Sequence, residues 1–250
     1  MTAELRVTAE RGAAAGRRTA IGRVATAAGI LSAGAIALGS VVAALGYAGL
    51  AGEPFSPLNH WISELGQVGV STRSSAFNVA LVVAGIGFMV FIAGLALTSS
   101  SRLRWAFGPI GVVAGLGGTL VGIFPMNHAA EHVAAASTFF NLGWIAAGLA
   151  SVGFLTSRDE RFPRWLAAVG AITVACFIAF LVELRVDDVV RAKMTPTGAI
   201  TGRPDVWVAP ILEWSVLIGI MAWTLLVSLT WRRALGRRPT IEARTAGVPR

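Results

Sequence analysis

The chain has 250 residues, of which 55% are hydrophobic and 14% are charged, and its mean hydropathy is +0.69. Soluble domains carry about 25% charged residues, so this composition indicates a membrane protein. The net charge of +8 comes almost entirely from arginines in the tails and in short loops. No basic domain interleaved with aromatic residues is present, and we therefore expect no nucleic-acid partner.

Six apolar segments are long enough to cross a bilayer, which takes about 20 mostly apolar residues. They cover approximately residues 24–50, 75–98, 105–124, 130–156, 165–183 and 207–231. The first run is too long for the apolar region of a signal peptide. The sequence thus predicts an all-α polytopic membrane protein, with one six-helix transmembrane domain over residues 24–231.

The basic residues predict the orientation of this bundle. Alternating the loops between the two sides of the membrane gives sixteen lysines and arginines on one side and five on the other. The positive-inside rule places the basic side, with both tails, in the cytoplasm. We expect the tails, 1–23 and 232–250, to be Arg-rich and disordered, and to favour the anionic lipids of the inner leaflet.

The third apolar segment carries glycines that alternate three and four residues apart. They are Gly108, Gly111, Gly115, Gly118 and Gly122. This spacing puts them on one face of a helix, where another backbone can approach closely. The pattern predicts a helix–helix contact, either within the chain or in a homo- or hetero-oligomer.

The stretch EPFSPLNHWISELG, residues 53–66, separates the first two segments on the predicted outer side. Ser56 and Pro57 have the pattern of a helix start, and Gly66 that of a stop. Apolar residues recur at helical spacing between them, which predicts a short amphipathic interfacial helix over 57–65. Its polar face would carry His60, Ser63 and Glu64, turned either to water or into a cavity.

The second outer stretch, 123–140, carries H-x-x-E-H at the start of the fourth segment. Its residues are His128, Glu131 and His132. Two histidines one turn apart can share a zinc ion, and the glutamate can act as a base. His60, His128 and His132 are therefore candidate ligands of a divalent metal, and His60, Ser63, Glu64 and Glu131 are candidate catalytic groups. The alternative is that these residues are polar groups at the membrane interface.

Glu213 lies inside the sixth segment, and an ionisable residue within a span is a functional candidate by default. The loop before it, 184–206, carries charges of both signs in Asp187, Asp188, Arg191, Lys193 and Arg203. We expect this loop to be a partly ordered lid.

The motifs SPLNHWISELG and GIFPMNHAAEHVAAASTFF resemble the bacterial six-helix membrane family called domain of unknown function 998. That family is distantly similar to DRAM/Sfk-type membrane proteins. The resemblance covers about residues 24–231 and matches Ser63, Glu64, Gly66, Pro125 and His132. It implies a six-helix bundle in a bacterial plasma membrane, and it does not indicate a particular activity.

Three functions stay open from the sequence. The first is a membrane protein that binds or handles a lipid or small amphiphile at the outer polar cluster. The second is a membrane-embedded metal-dependent hydrolase or lipid-modifying enzyme. The third is a proton-coupled carrier that uses Glu213 and a histidine as its relay.

Overall fold

The six apolar runs each form one long α-helix in the computed structural model, which describes residues 3–49, 52–186 and 203–237. The helices are α1 (Ala3–Ala44), α2 (Ser74–Thr98), α3 (Arg104–Ile123), α4 (Ala129–Thr156), α5 (Trp165–Val186) and α6 (Val208–Gly236). All six are long and apolar enough to span a membrane, within the described part of the chain. No β-strand occurs among the described residues, so the all-α prediction is confirmed.

The first and last helices differ most from the sequence prediction. α1 begins at Ala3, and the N-terminal stretch predicted to be disordered continues this helix outward from the apolar run. Alanine and arginine are strong helix formers, and an exposed Arg6–Glu10 pair at 3.7 Å adds an i, i+4 contact. α6 ends at Gly236, and residues 238–250 of the basic tail lie outside the described residues.

The helices form a ring in chain order. Each helix packs against the next one along the chain, and α6 closes the ring by packing against α1. We call the end of the ring where α1, α3 and α5 finish the loop end. The opposite end, where α1 begins and α6 finishes, is the basic end. The connections between α1 and α2 and between α3 and α4 lie at the loop end.

Four glycines of α3 pack against α2 of the same chain, namely Gly108, Gly111, Gly115 and Gly122, whereas Gly118 faces α4. A β-carbon added at Gly115 would lie 2.6 Å from Met89 Cγ, and one at Gly108 would lie 2.7 Å from Ala96 Cβ. Neither distance leaves room for a side chain without movement of α2. The predicted close contact is thus an intramolecular one, and it brings two backbones together along one wall of the ring.

The connection between α1 and α2 covers the ring interior at the loop end, and we call residues 52–73 the capping loop. The predicted helix over 57–65 is wrong. A turn ends at His60, Trp61 is extended (φ −61°, ψ 142°), and a 3₁₀ helix covers Ile62–Gly66. The helix breaks because the Trp61 ring enters the bundle, 5.3 Å from the Trp207 ring, while the backbone N–H of Trp61 donates to the Glu64 carboxylate. The loop is held by tertiary contacts on both faces.

Candidate functional site

Glu64 is the centre of a buried hydrogen-bond network in the capping loop. Its side chain is 3% exposed. Its carboxylate accepts bonds from the Tyr47 hydroxyl at 2.8 Å and from the Trp61 N–H at 2.9 Å. Arg203 donates to both of its oxygens at 3.0 Å. Paired donation from one guanidinium to one carboxylate is a strong and geometrically specific contact, so Glu64 fixes the loop in one position.

Hydrogen bonds to backbone carbonyls join the segment that leads into α6 to the same loop. Arg203 also donates to the Asn59 carbonyl at 3.0 Å, and the Asn59 amide donates to the Pro204 carbonyl at 3.0 Å. The Trp207 N–H donates to the Leu58 carbonyl at 2.8 Å. These bonds tie the capping loop to the start of the last helix. Residues 187–202 of the predicted lid lie outside the described residues.

His60 is buried beside this network and is 2% exposed. Its Nδ1 faces the Asn59 side-chain oxygen at 2.7 Å and the Ser56 carbonyl at 3.2 Å. Its Nε2 has no hydrogen-bond partner among the described residues, and Glu53 lies 3.8 Å away. Burial lowers the pKa of His60, and it raises the pKa of Tyr47 beside the Glu64 carboxylate. Both groups are therefore held neutral at pH 7.

Glu213 joins the capping loop to the interior of the ring. It lies in the second turn of α6, is 6% exposed, and accepts a 2.7 Å bond from the Ile62 N–H. This bond satisfies a backbone donor of the 3₁₀ helix that has no partner within the helix. Glu213, the intramembrane acid predicted from the sequence, therefore connects the last span to the capping loop.

A cavity of about 110 Å³ lies inside the ring. It is lined by α1, α2, α3, α4 and α6, together with Ile62 and Ser63 of the capping loop. Glu213 and Thr224 both line it on α6, eleven residues apart, which corresponds to roughly 16 Å along a helix. The cavity is thus a narrow slot, and its walls are mainly alanine, glycine, leucine, isoleucine and phenylalanine.

Three polar side chains line the end of the slot next to the capping loop. They are Ser63, His132 and Glu213. The Ser63 hydroxyl donates to Met126 Sδ at 3.2 Å, and His132 Nδ1 donates to the Phe124 carbonyl at 2.8 Å. His132 thereby projects into the bundle, where it is 8% exposed. We call these three residues the polar end of the slot.

The predicted site residues separate into three groups. Ser63, His132 and Glu213 line the slot, whereas His60 and Glu64 are buried in the loop network and do not line it. His128 and Glu131 lie at the start of α4 with exposed side chains. In residues 3–49, 52–186 and 203–237, no group of three His, Cys, Asp or Glu side chains is arranged to hold a metal ion.

Two residues of the Glu64 network were not predicted from the sequence: Tyr47 was not a candidate site residue, and Arg203 was predicted without a partner. Tyr47 is the one tyrosine of the chain and lies just after the end of α1. Tyrosine is enriched at the ends of membrane spans, where the membrane meets water. Arg203 lies on the predicted outer side, which has five basic residues against sixteen on the other side. An arginine there indicates that its charge is paired with an acidic residue. Neither signal identifies Glu64 as the shared partner.

These features define the class: a multi-pass helical membrane protein whose ring of spans encloses a slot with a polar end. The chain belongs to the family described as "Protein of unknown function (DUF998)", which matches residues 35–230. The match covers α2 to α5 entirely, most of α6 and the capping loop. Comparison with curated proteins and with solved structures finds no match.

Proposed function

We propose that the protein binds a small amphiphile, or the end of a lipid chain, inside the ring of helices. The observation that carries the proposal is the slot itself: its walls are mainly apolar, with Ser32 and Thr224 as the other polar residues, and Ser63, His132 and Glu213 lie at one end. An amphiphile has the same division, since its chain gains from apolar surroundings and its polar group needs hydrogen-bond partners.

The size of the slot limits the ligand. An engineered cavity of about 150 Å³ lined by apolar residues binds benzene, and the slot here measures about 110 Å³. It therefore has room for a short alkyl chain or for the terminal part of a longer one. Its length along α6 favours an extended chain over a compact ring.

Blocking the slot tests this proposal. A β-carbon added at Gly118 would lie 3.7 Å from the Phe139 ring, an ordinary contact, so this glycine accepts a side chain that projects toward the slot. We expect Gly118→Leu to fill the slot and abolish binding of hexanol, measured by ligand-observed NMR on protein in lipid nanodiscs. Gly34→Leu is the matched control, because Gly34 is exposed, has no neighbour within 4 Å and does not line the slot.

Two results of the hexanol experiment would contradict the proposal. If hexanol binds the wild type and Gly118→Leu equally, the ligand is not in the slot. If hexanol binds neither of them above the level of empty nanodiscs, the slot is only a packing defect of the bundle.

A proton-coupled carrier is the second candidate, and Glu213 is the observation that favours it. A carboxyl buried within a span, lining an internal slot beside His132, is the arrangement that proton relays use. Proteoliposomes with an imposed pH gradient test it by comparing wild type with Glu213→Gln. Equal proton flux in the two would remove Glu213 from such a mechanism.

The orientation of the bundle is part of the proposal. The arginine distribution favours both termini in the cytoplasm of a bacterial cell, which places the capping loop and the polar end of the slot on the outer side. Under this orientation a ligand is taken from the outer leaflet or from outside the cell.

A further inference from the structure

When Glu213 is ionised, each of the three side chains at the polar end of the slot offers an acceptor and has no free donor. The Ser63 hydroxyl uses its hydrogen on Met126 Sδ at 3.2 Å, which leaves its oxygen lone pairs. His132 uses its Nδ1 hydrogen on the Phe124 carbonyl at 2.8 Å, because a carbonyl can only accept. The neutral ring then has its lone pair at Nε2.

Glu213 completes the set. Its Oε2 is occupied by the Ile62 N–H at 2.7 Å, and its other oxygen is a further acceptor. Within 3–49, 52–186 and 203–237, no lysine or arginine lines the slot. The nearby Arg203 is already committed to both oxygens of Glu64 and to the Asn59 carbonyl. Among the residues that the structure describes, the carboxylate of Glu213 therefore has no cation to neutralise it.

A buried carboxyl group without a cationic partner takes up a proton, and a ligand that supplies the cation stabilises its ionised form. Resting on the proposed function, we infer that the amphiphile carries a primary ammonium group. Such a group has three N–H donors and a positive charge. It matches three acceptors, one of which is a carboxylate. An ionised Glu213 would repel a carboxylate or phosphate headgroup, and a hydroxyl could donate only one bond.

Binding of three probes that each have a six-carbon chain tests this inference. Hexylamine, hexanol and hexanoate differ only in the polar group, and each is titrated against the protein in neutral-lipid nanodiscs. We expect hexylamine to bind at least about tenfold more tightly than hexanol, since a close charge pair in a buried site can add net affinity. Hexanoate should be the weakest of the three.

Glu213→Gln should remove this preference. The glutamine keeps a carbonyl acceptor for the Ile62 N–H but loses the charge, so hexylamine should fall to within about twofold of hexanol in this variant. Glu131→Gln is the matched control, since Glu131 is exposed and does not line the slot. Should Glu213→Gln not fold, Ser63→Ala removes another acceptor and should weaken hexylamine more than hexanol.

The outcomes separate the inference from the proposed function. If hexanol and hexylamine bind equally, and Gly118→Leu blocks both, the slot binds amphiphiles and the ammonium inference is wrong. If hexanoate binds most tightly, the inference is also wrong. If none of the three probes binds, the proposed function falls, and the ammonium inference falls with it.

Discussion

Replacing Arg203 by methionine should release the capping loop from the start of α6. The substitution keeps most of the length of the side chain but removes both bonds to Glu64 and the bond to the Asn59 carbonyl. Glu64 then keeps only the Tyr47 hydroxyl and the Trp61 N–H as donors. A carboxylate that is 3% exposed is thereby left without a counter-charge.

Breaking a buried ion pair by removing one partner costs about 3–5 kcal/mol. The Arg203 side chain is 14% exposed, so water can reach part of the site and we expect the lower end, about 3 kcal/mol. Glu64→Gln keeps the hydrogen-bonding shape and removes the charge. In the double variant no unpaired charge remains, and its loss of stability should be about 2 kcal/mol smaller than the sum of the single losses.

Unfolding in mixed micelles by added sodium dodecyl sulfate measures these losses. Eight tryptophans report the transition, and Trp61 and Trp207 lie in the affected region. Arg158→Met is the control, because Arg158 is an exposed arginine at the basic end. If Arg203→Met unfolds with the wild type, or if the single losses add to within about 0.5 kcal/mol, the network does not hold the loop.

Three further predictions follow from the packing and the burial. Gly115→Ala should cost about 1–3 kcal/mol in the same assay because α2 leaves no room for the methyl group, whereas Gly118→Ala should be nearly neutral. Since burial lowers the pKa of His60, protonation favours the unfolded chain. Stability should therefore fall as the pH drops below about 6.5, and His60→Phe should flatten this slope; an unchanged slope would exclude His60 as its source. A cysteine at the exposed position Leu58, in a background without the native cysteine, should react with an impermeant reagent from outside intact cells, and one at Arg102 should not. The reverse labelling would overturn the orientation.

The spans could be predicted because length and apolarity decide them. The ends of α2, α3 and α4 lie within one residue of the predicted ends, since charged and turn-forming residues interrupt the apolar runs there. The glycine face of α3 was also readable, because a gap in side-chain volume at helical spacing has one physical use. The start of α1 was not, since an Ala- and Arg-rich segment is compatible with both disorder and helix.

The capping loop shows where local rules stop. Its apolar residues recur at helical spacing, but Leu58 is exposed, while His60 and Glu64 of the predicted polar face are buried. The backbone breaks at Trp61 because contacts with Trp207 and Phe180, more than a hundred residues away, outweigh local preference. The Glu64–Arg203 and Ile62–Glu213 pairs likewise join segments that no spacing rule connects.

The bond between Glu64 and Arg203 joins residues 139 positions apart, and this has a consequence for how the protein is made. At about 5–20 residues per second, Arg203 is synthesised roughly 7–30 s after Glu64. During that interval Glu64 has no counter-charge, and Ile62 lacks the carboxylate of the last span. The loop can therefore close only when α6 is inserted, and nascent chains that stall before it present an unfinished loop end to membrane quality control.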